Sequence, residues 1–476
     1  MKKRFYSLVL LGCFLTNPLL SQPKITLEKS IEMLGASNAK LVEVLFSDIN
    51  GTLKRVAIPA QRFADIAIHG LAIDGSSIKG LNTIQESDCL VVVDLDSLQL
   101  NPFESRFTTA SVFGSIYHFD GTPHQNSPRT LLESLSNQAK KQGYRLLAGA
   151  ELEFFLFTYD TDRNSLMTAD EKGYCDASDS PQLKHFEEEL FLALSSPELN
   201  CEKIHHEVAP GQYEVVLGHD DALHLADRII YAQHLIKTLA NKHNMFATFM
   251  PKPIAGINGS GMHIHASVQS SNGRNVFFDK DQEYFLSTDA RKFISGLLDH
   301  AREMNLLFNS SPNSFKRLIP GYEAPFYLCA GSKNRSAAIR IPEVSRLNIE
   351  NHNGSAVRIE LRWPDGNCNP YLALSGLFYG GLEGMRTNTP LCSFVNTNLY
   401  HADTRTLDQY NIQLLPGDLE ESLTLAKESS FLRKLLSEEL HTHLVKEKKE
   451  QLAKYLQEVT KHNPLVISSY ELENGL

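Results

Sequence analysis

The chain has 476 residues, 42% hydrophobic and 21% charged, enough for more than one ordinary globular core. A formal net charge of −10 excludes a general nucleic-acid binder, which needs a basic footprint. Seven cysteines without a Cys-x-x-Cys pair exclude a zinc framework and read as reduced structural thiols.

In chain order, Lys2, Lys3 and Arg4 precede an apolar run from Phe5 to Leu15. This basic-then-apolar leader has the shape of a signal peptide and is too short for a stable membrane span. The expected division is a leader over 1–23, a first domain over 24–127 and a larger domain over 128–476. A helical period at Leu27, Ile31 and Leu34 runs into a strand-like stretch, Leu41–Phe46. That strand ends at Ser47-Asp48-Ile49-Asn50-Gly51, where Asp48 by itself reads as a turn cap. Strands are expected at Leu53–Ile58 and Asp88–Asp94, so the first domain is small and sheet-rich. Polar, turn-rich residues 119–128 mark a boundary, and Arg129–Gln142 reads as the opening helix of the second domain.

Glu151 and Glu153 stand two apart in the apolar strand Leu146–Phe157, so their side chains share one face. Like charges placed side by side repel unless a positive charge lies between them, which makes the pair a candidate set of metal ligands. His205-His206-Glu207 and Glu214 flank a Pro-Gly turn that brings both carboxylates to one place. A long helix is expected over Asp220–His243. Beyond it, Asn258-Gly259-Ser260-Gly261 can bring backbone close to a ligand and offer N–H groups to an anion. His263, His265 and Ser267 then alternate along one strand face. After a helix over Arg291–Leu307, proline and glycine around Glu323 make that carboxylate part of a loop. Arg335 and Arg340 follow, and Arg358, Glu360 and Arg362 share one strand face. Guanidinium groups in such numbers suit phosphate and carboxylate ligands.

The ordered set FSDINGTLKRVAIP, AELEFFLF, HHEVAPGQYE, FMPKPIAGINGSGMHIH, KRLIPGYEAP, NRSAAIRIP and RIELRWPDGNCNPYL resembles type I glutamine synthetase from about Ile25 to the C-terminus. The resemblance implies an α+β fold, with a small β-grasp N-terminal domain and a larger α/β catalytic domain built on a curved antiparallel sheet. It implies a homo-oligomer, a double-hexamer dodecamer in which the neighbouring subunit supplies Asp48. Two divalent sites for Mg²⁺ or Mn²⁺ would be Glu153, Glu207 and Glu214, and Glu151, His263 and Glu360. ATP would meet Glu202, His265, Ser267, Arg340 and Arg358. L-glutamate would be held by Asn258, Gly259, Arg317, Arg335 and Arg362. Asp48, Glu207, Glu323 and Tyr174 would receive ammonium, with Asp48, Glu323 and Arg335 catalytic. The implied reaction is ATP-dependent joining of glutamate and ammonia through γ-glutamyl phosphate.

Alternatives of the same fold are a γ-glutamylpolyamine synthetase acting on a larger amine and a non-catalytic structural or sensing relative. The sequence departs from the family pattern at Ala330, at Gly366 and after Tyr174, where CDASDS stands. Tyr400 reads as structural. Dependence on ATP favours the cytoplasm, with export through residues 1–22 as the alternative.

Overall fold

A computed structural model describes residues 25–81, 87–101, 107–162, 164–319, 322–352, 354–387, 389–400, 402–459 and 467–475. The leader reading of residues 1–23 lies outside these; the described residues form two sheets, each with its own core.

The first sheet holds β1 (Leu41–Ser47), β2 (Leu53–Pro59), β3 (Leu71–Asp74), β4 (Asp88–Val93), β5 (Gln99–Leu100) and β6 (Thr109–Tyr117). Its order is β2-β1-β6-β4-β3, with β5 on β6, and β1 runs parallel to β6. Alternate residues such as Val42 and Val44 enter a core with Phe46, Phe63, Val91 and Val112. The helix Leu27–Ala36 is N-capped by the Thr26 hydroxyl. A second helix, Phe63–His69, is not anticipated by the sequence reading, because seven residues with two isoleucines carry little helical signal. Packing of Phe63 and Ile66 into the core accounts for it.

The second sheet has ten strands. They are β7 (Tyr144–Asp160), β8 (Ser165–Thr168), β9 (Cys201–His206), β10 (Gln212–Asp221), β11 (Met245–Thr248), β12 (Met262–Ser270), β13 (Tyr327–Gly331), β14 (Ala337–Arg340), β15 (Ile359–Leu361) and β16 (Gln413–Leu414). The path is β16-β13-β14-β15-β12-β7-β10-β9, antiparallel except between β13 and β14. Strands and helices mix without a regular β-α-β alternation, so the architecture is α+β as expected. The helices Pro128–Lys141, Ala222–Lys242, Thr288–Phe308 and Pro370–Arg386 join the sheet in one large core. Proline at the first helical position and the Ser127 cap start the first of these one residue earlier than the sequence suggests. Asp220 and Asp221 end β10 rather than opening a helix, and Asp221 caps the helix that follows.

The two sheets are tied by a buried guanidinium. Arg129 is 2% exposed and donates to both Asp227 oxygens at 2.9 and 2.7 Å, to Asp94 at 2.9 Å and to the Ser115 hydroxyl at 2.7 Å. Tyr371 donates its hydroxyl to Asp227, and His224 lies 3.6 Å from Asp94. A second tie joins the Asp48 turn to the C-terminal half. Asn369 donates to the carbonyls of Asp48 and Ile49, and Glu447 accepts from Asn50 at 3.1 Å and Lys79 at 2.9 Å.

Candidate active site

Strand register assembles the charged residues. In the second sheet His205 lies opposite Glu214, which lies opposite Glu153. Two residues along β7, Glu151 lies opposite His263; two residues along β12, His265 lies opposite Glu360, which faces Arg340. Directly paired residues, and residues two apart in a strand, share a face. One row of ionisable side chains therefore crosses β9, β10, β7, β12, β15 and β14. Apart from His265, the row floors a cavity of about 440 Å³ that is also lined by Tyr174, Glu207, Asn258, Gly259, Arg317, Glu323, Arg335 and Arg362.

Within the row, Glu151 accepts from His263 and His265 at 2.9 Å each. Burial opposes ionisation of Glu151, and those two histidine hydrogen bonds more than offset it, so its carboxyl is held well below the usual range. Burial likewise opposes ionisation of Glu360, 0% exposed, but Arg362 at 2.7 Å and the nearby histidines hold its carboxyl down. Arg340 pairs with its other oxygen at 2.6 Å. Glu153 accepts the Gly261 N–H at 2.8 Å and a Gln212 amide hydrogen at 3.2 Å. The glycine-rich loop thus offers its N–H to an anion as expected, and the anion is the chain's own carboxylate. Gly261 has no room for a side chain, since a Cβ would meet the Arg317 guanidinium at 2.4 Å. Glu207 differs from the others: burial, followed by repulsion from Glu153 and Glu214, pushes its carboxyl up to about 7.

The donor chemistry fits divalent cations. Glu151, His263 and Glu360 each offer a ligand atom within 4.8 Å of the others, as do Glu153, Glu214 and His263, and His205, Glu207 and Glu214. Carboxylates with one imidazole suit Mg²⁺ or Mn²⁺. Glu153 and Glu207 fall in separate groups that share Glu214, and His205 enters as a ligand candidate that the sequence reading left out. Its signal was present, two residues before Glu207 and opposite Glu214 across the Pro-Gly turn.

Arg317 is buried beneath the loop and donates to the carbonyls of Arg362, Trp363 and Pro364. Arg335 and Glu323 meet at the exposed mouth, 3.4 Å apart. Tyr174, 59% exposed, sets its ring edge-on to His205. Tyr400 donates to the Arg335 carbonyl, a structural contact.

Five sequence candidates stand outside the cavity lining. His265 and Ser267 continue the same face of β12 outward, where Arg358 donates to His265 at 3.1 Å and Ser267 meets His219 at 3.0 Å. Glu202 is exposed, on β9 beside its register shift against β10. Asp48 is 4% exposed and caps its own turn, accepting from the N–H groups of Asn50 and Thr52 at 3.0 Å, with Lys54 at 3.1 Å. Within one chain Asp48 does not line the cavity.

Comparison with known proteins agrees with this geometry. Residues 38–119 match the family model of the glutamine synthetase β-grasp domain, and residues 125–464 match that of its catalytic domain. The glutamine synthetase of Methanosarcina mazei is 36% identical over 90% of this chain and 95% of its own. That of Thermococcus kodakarensis is 38% identical over 85% and 89%. Among solved structures, GmaS in complex with ADP superposes with a TM-score of 0.79 at 26% identity, covering 93% of this chain and 98% of that one. Fold and site together define an ATP-using, metal-dependent ligase architecture. The chain belongs to the glutamine synthetase family, and with it to the glutamate–ammonia ligases.

Proposed function

We propose that the protein forms L-glutamine from L-glutamate and ammonia, with ATP activating the γ-carboxylate as γ-glutamyl phosphate. The observation that carries this reading is the single sheet face on which three overlapping ligand sets adjoin Arg340, Arg362 and Arg335.

Glutamate is held by Asn258 and Gly259 of the loop and by Arg317, Arg335 and Arg362. ATP lies toward Arg340, with Glu202, His265, Ser267 and Arg358 along the outer part of the same face. Glu151, His263 and Glu360 would hold one divalent ion, and Glu153, Glu207 and Glu214 the other. Bound there, Mg²⁺ or Mn²⁺ supplies charge neutralisation for the transferring phosphoryl group. The guanidinium groups of Arg335 and Arg340 add positive charge around its equatorial oxygens. Glu207 and Glu323, with Tyr174 and Asp48 of a neighbouring subunit, receive ammonium and take its proton. Glu323 at the mouth excludes water from the acyl phosphate.

Assembly as a double-hexamer dodecamer brings a neighbour's Asp48 to the cavity. A cytoplasmic location is favoured by the need for ATP. No helix among the described residues is long and apolar enough to cross a membrane.

Phosphate release from ATP by the purified full chain, with glutamate, Mg²⁺ and ammonium, tests the reading. The expected result is glutamate-dependent release with glutamine as product. Release only when putrescine replaces ammonium moves the assignment to a larger amine, and no release with any amine overturns ligation.

A further inference from the structure

Among the buried cations that the mechanism above does not use, one lies against the glycine-rich loop. Lys252 lies in the Pro-Lys-Pro stretch before the glycine-rich loop and is 1% exposed. Burial and the neighbouring Arg317 guanidinium both disfavour its charge, pulling the ammonium down to about 8. Its Nζ donates to the Ile257 carbonyl, immediately before Asn258. The same Nζ sits 3.9 Å from the centroid of the Tyr322 ring, immediately before Glu323. Its stem runs under Gly259, where a Cβ would meet the lysine Cδ at 3.3 Å. Its backbone is fixed from behind, because Asn313 exchanges two hydrogen bonds with it at 2.7 and 3.0 Å.

The turn that Lys252 touches needs outside support. Glu323 has φ +56°, a left-handed backbone that a glutamate adopts only when its surroundings impose it. Its side chain makes one long contact, with Arg335 at 3.4 Å, between two exposed groups. The ammonium over the Tyr322 ring is the better-shielded interaction, and such contacts strengthen when desolvated.

We propose that Lys252 is a positioning residue that holds the Tyr322–Glu323 turn against the glycine-rich loop through the face of the Tyr322 ring. Binding of glutamate at Asn258 and Gly259 is thereby linked to the placement of Glu323. The inference deepens the function proposed above and rests on it.

Two readouts on the assembled full chain test it: hydrogen exchange of the peptide containing Tyr322 and Glu323, and glutamine formed per phosphate released. Tyr322→Leu removes the π face, and Tyr322→Phe keeps it. The expected result for Tyr322→Leu is exchange about five- to tenfold faster and a similar fall in glutamine per phosphate, the scale of a partly desolvated cation–π contact. Tyr322→Phe should match the parent in both, and Lys252→Met should match Tyr322→Leu without adding to it in the double variant. Unchanged exchange in Tyr322→Leu, equal damage in Tyr322→Phe, or faster exchange with the product ratio intact would each overturn the proposal. A parent protein that makes no glutamine overturns the ligase reading instead, and exchange alone then judges the contact.

Discussion

Two buried charge clusters in this protein are built on opposite plans. Around Arg129, one guanidinium and His224 meet Asp94 and Asp227, with Ser115 and Tyr371 completing the hydrogen bonds. Positive and negative groups match in number, and the cluster is closed. Along the cavity floor the carboxylates are crowded instead: Arg340 and Arg362 both pair with Glu360, Arg317 directs donors to backbone carbonyls, and burial with repulsion from Glu153 and Glu214 pushes Glu207 up to about 7. A structural cluster pairs each of its charges, whereas a site for divalent cations keeps carboxylates close enough to repel one another until an ion lies between them.

Four changes would break or sharpen this contrast. The largest effect is expected at the closed cluster, where Arg129→Met leaves Asp227, 3% exposed, without its cation. Unfolding of this variant should show a loss of about 3–5 kcal/mol, and a loss below about 1 kcal/mol would remove the distinction. Next is the open cluster: Mg²⁺ or Mn²⁺ at about 100 times its dissociation constant should stabilise the parent by about 2.7 kcal/mol per site, reversed by EDTA. Arg129→Met should keep that increment, since its cluster lies outside the cavity. Third, Glu153→Gln removes the repulsion between Glu153 and Glu207 and should raise metal-free stability by about 1 kcal/mol while abolishing metal-dependent phosphate release, a trade of stability against activity. A destabilised Glu153→Gln would show that the floor is not under repulsion.

The smallest effect concerns pH. Burial opposes the charge of His224, but Asp94 raises its titration from 6.5 to about 9. Its folded value is raised, so this contribution is complete below pH 6.5 and is lost as pH climbs through about 9. With a side chain 31% exposed, it is worth no more than about 1 kcal/mol after solvent screening. His224→Gln should flatten the fall in melting temperature between pH 6.5 and 9, and an unchanged slope would remove His224 from the cluster's balance.

The open cluster was largely legible in the sequence, and the closed one was not. Glu151 with Glu153, His263 with His265, and Arg358 with Glu360 and Arg362 declare a common face by period-two spacing alone. The pairing of those strands, which sets Glu214 beside Glu153 and Glu360 beside His265, depends on register between distant segments that no local pattern encodes. Arg129 and Asp227 are ordinary helix residues whose meeting depends on how two layers dock. Lys252 is hidden from the sequence for a similar reason, because a lysine between two prolines reads as solvated loop. The helix Phe63–His69 exists through the core it fills rather than through its own propensity.

The Asp48 turn also fixes an order of events during synthesis. Its Asn50 partner, Glu447, lies 397 residues further along the chain. A ribosome adding 5–20 residues per second needs roughly 20–80 s to cover that distance. For that interval the Asp48 turn lacks a clasp that has not yet been translated. The junction between this turn and the helix Glu438–Glu458 is therefore among the last surfaces of the newborn chain to close.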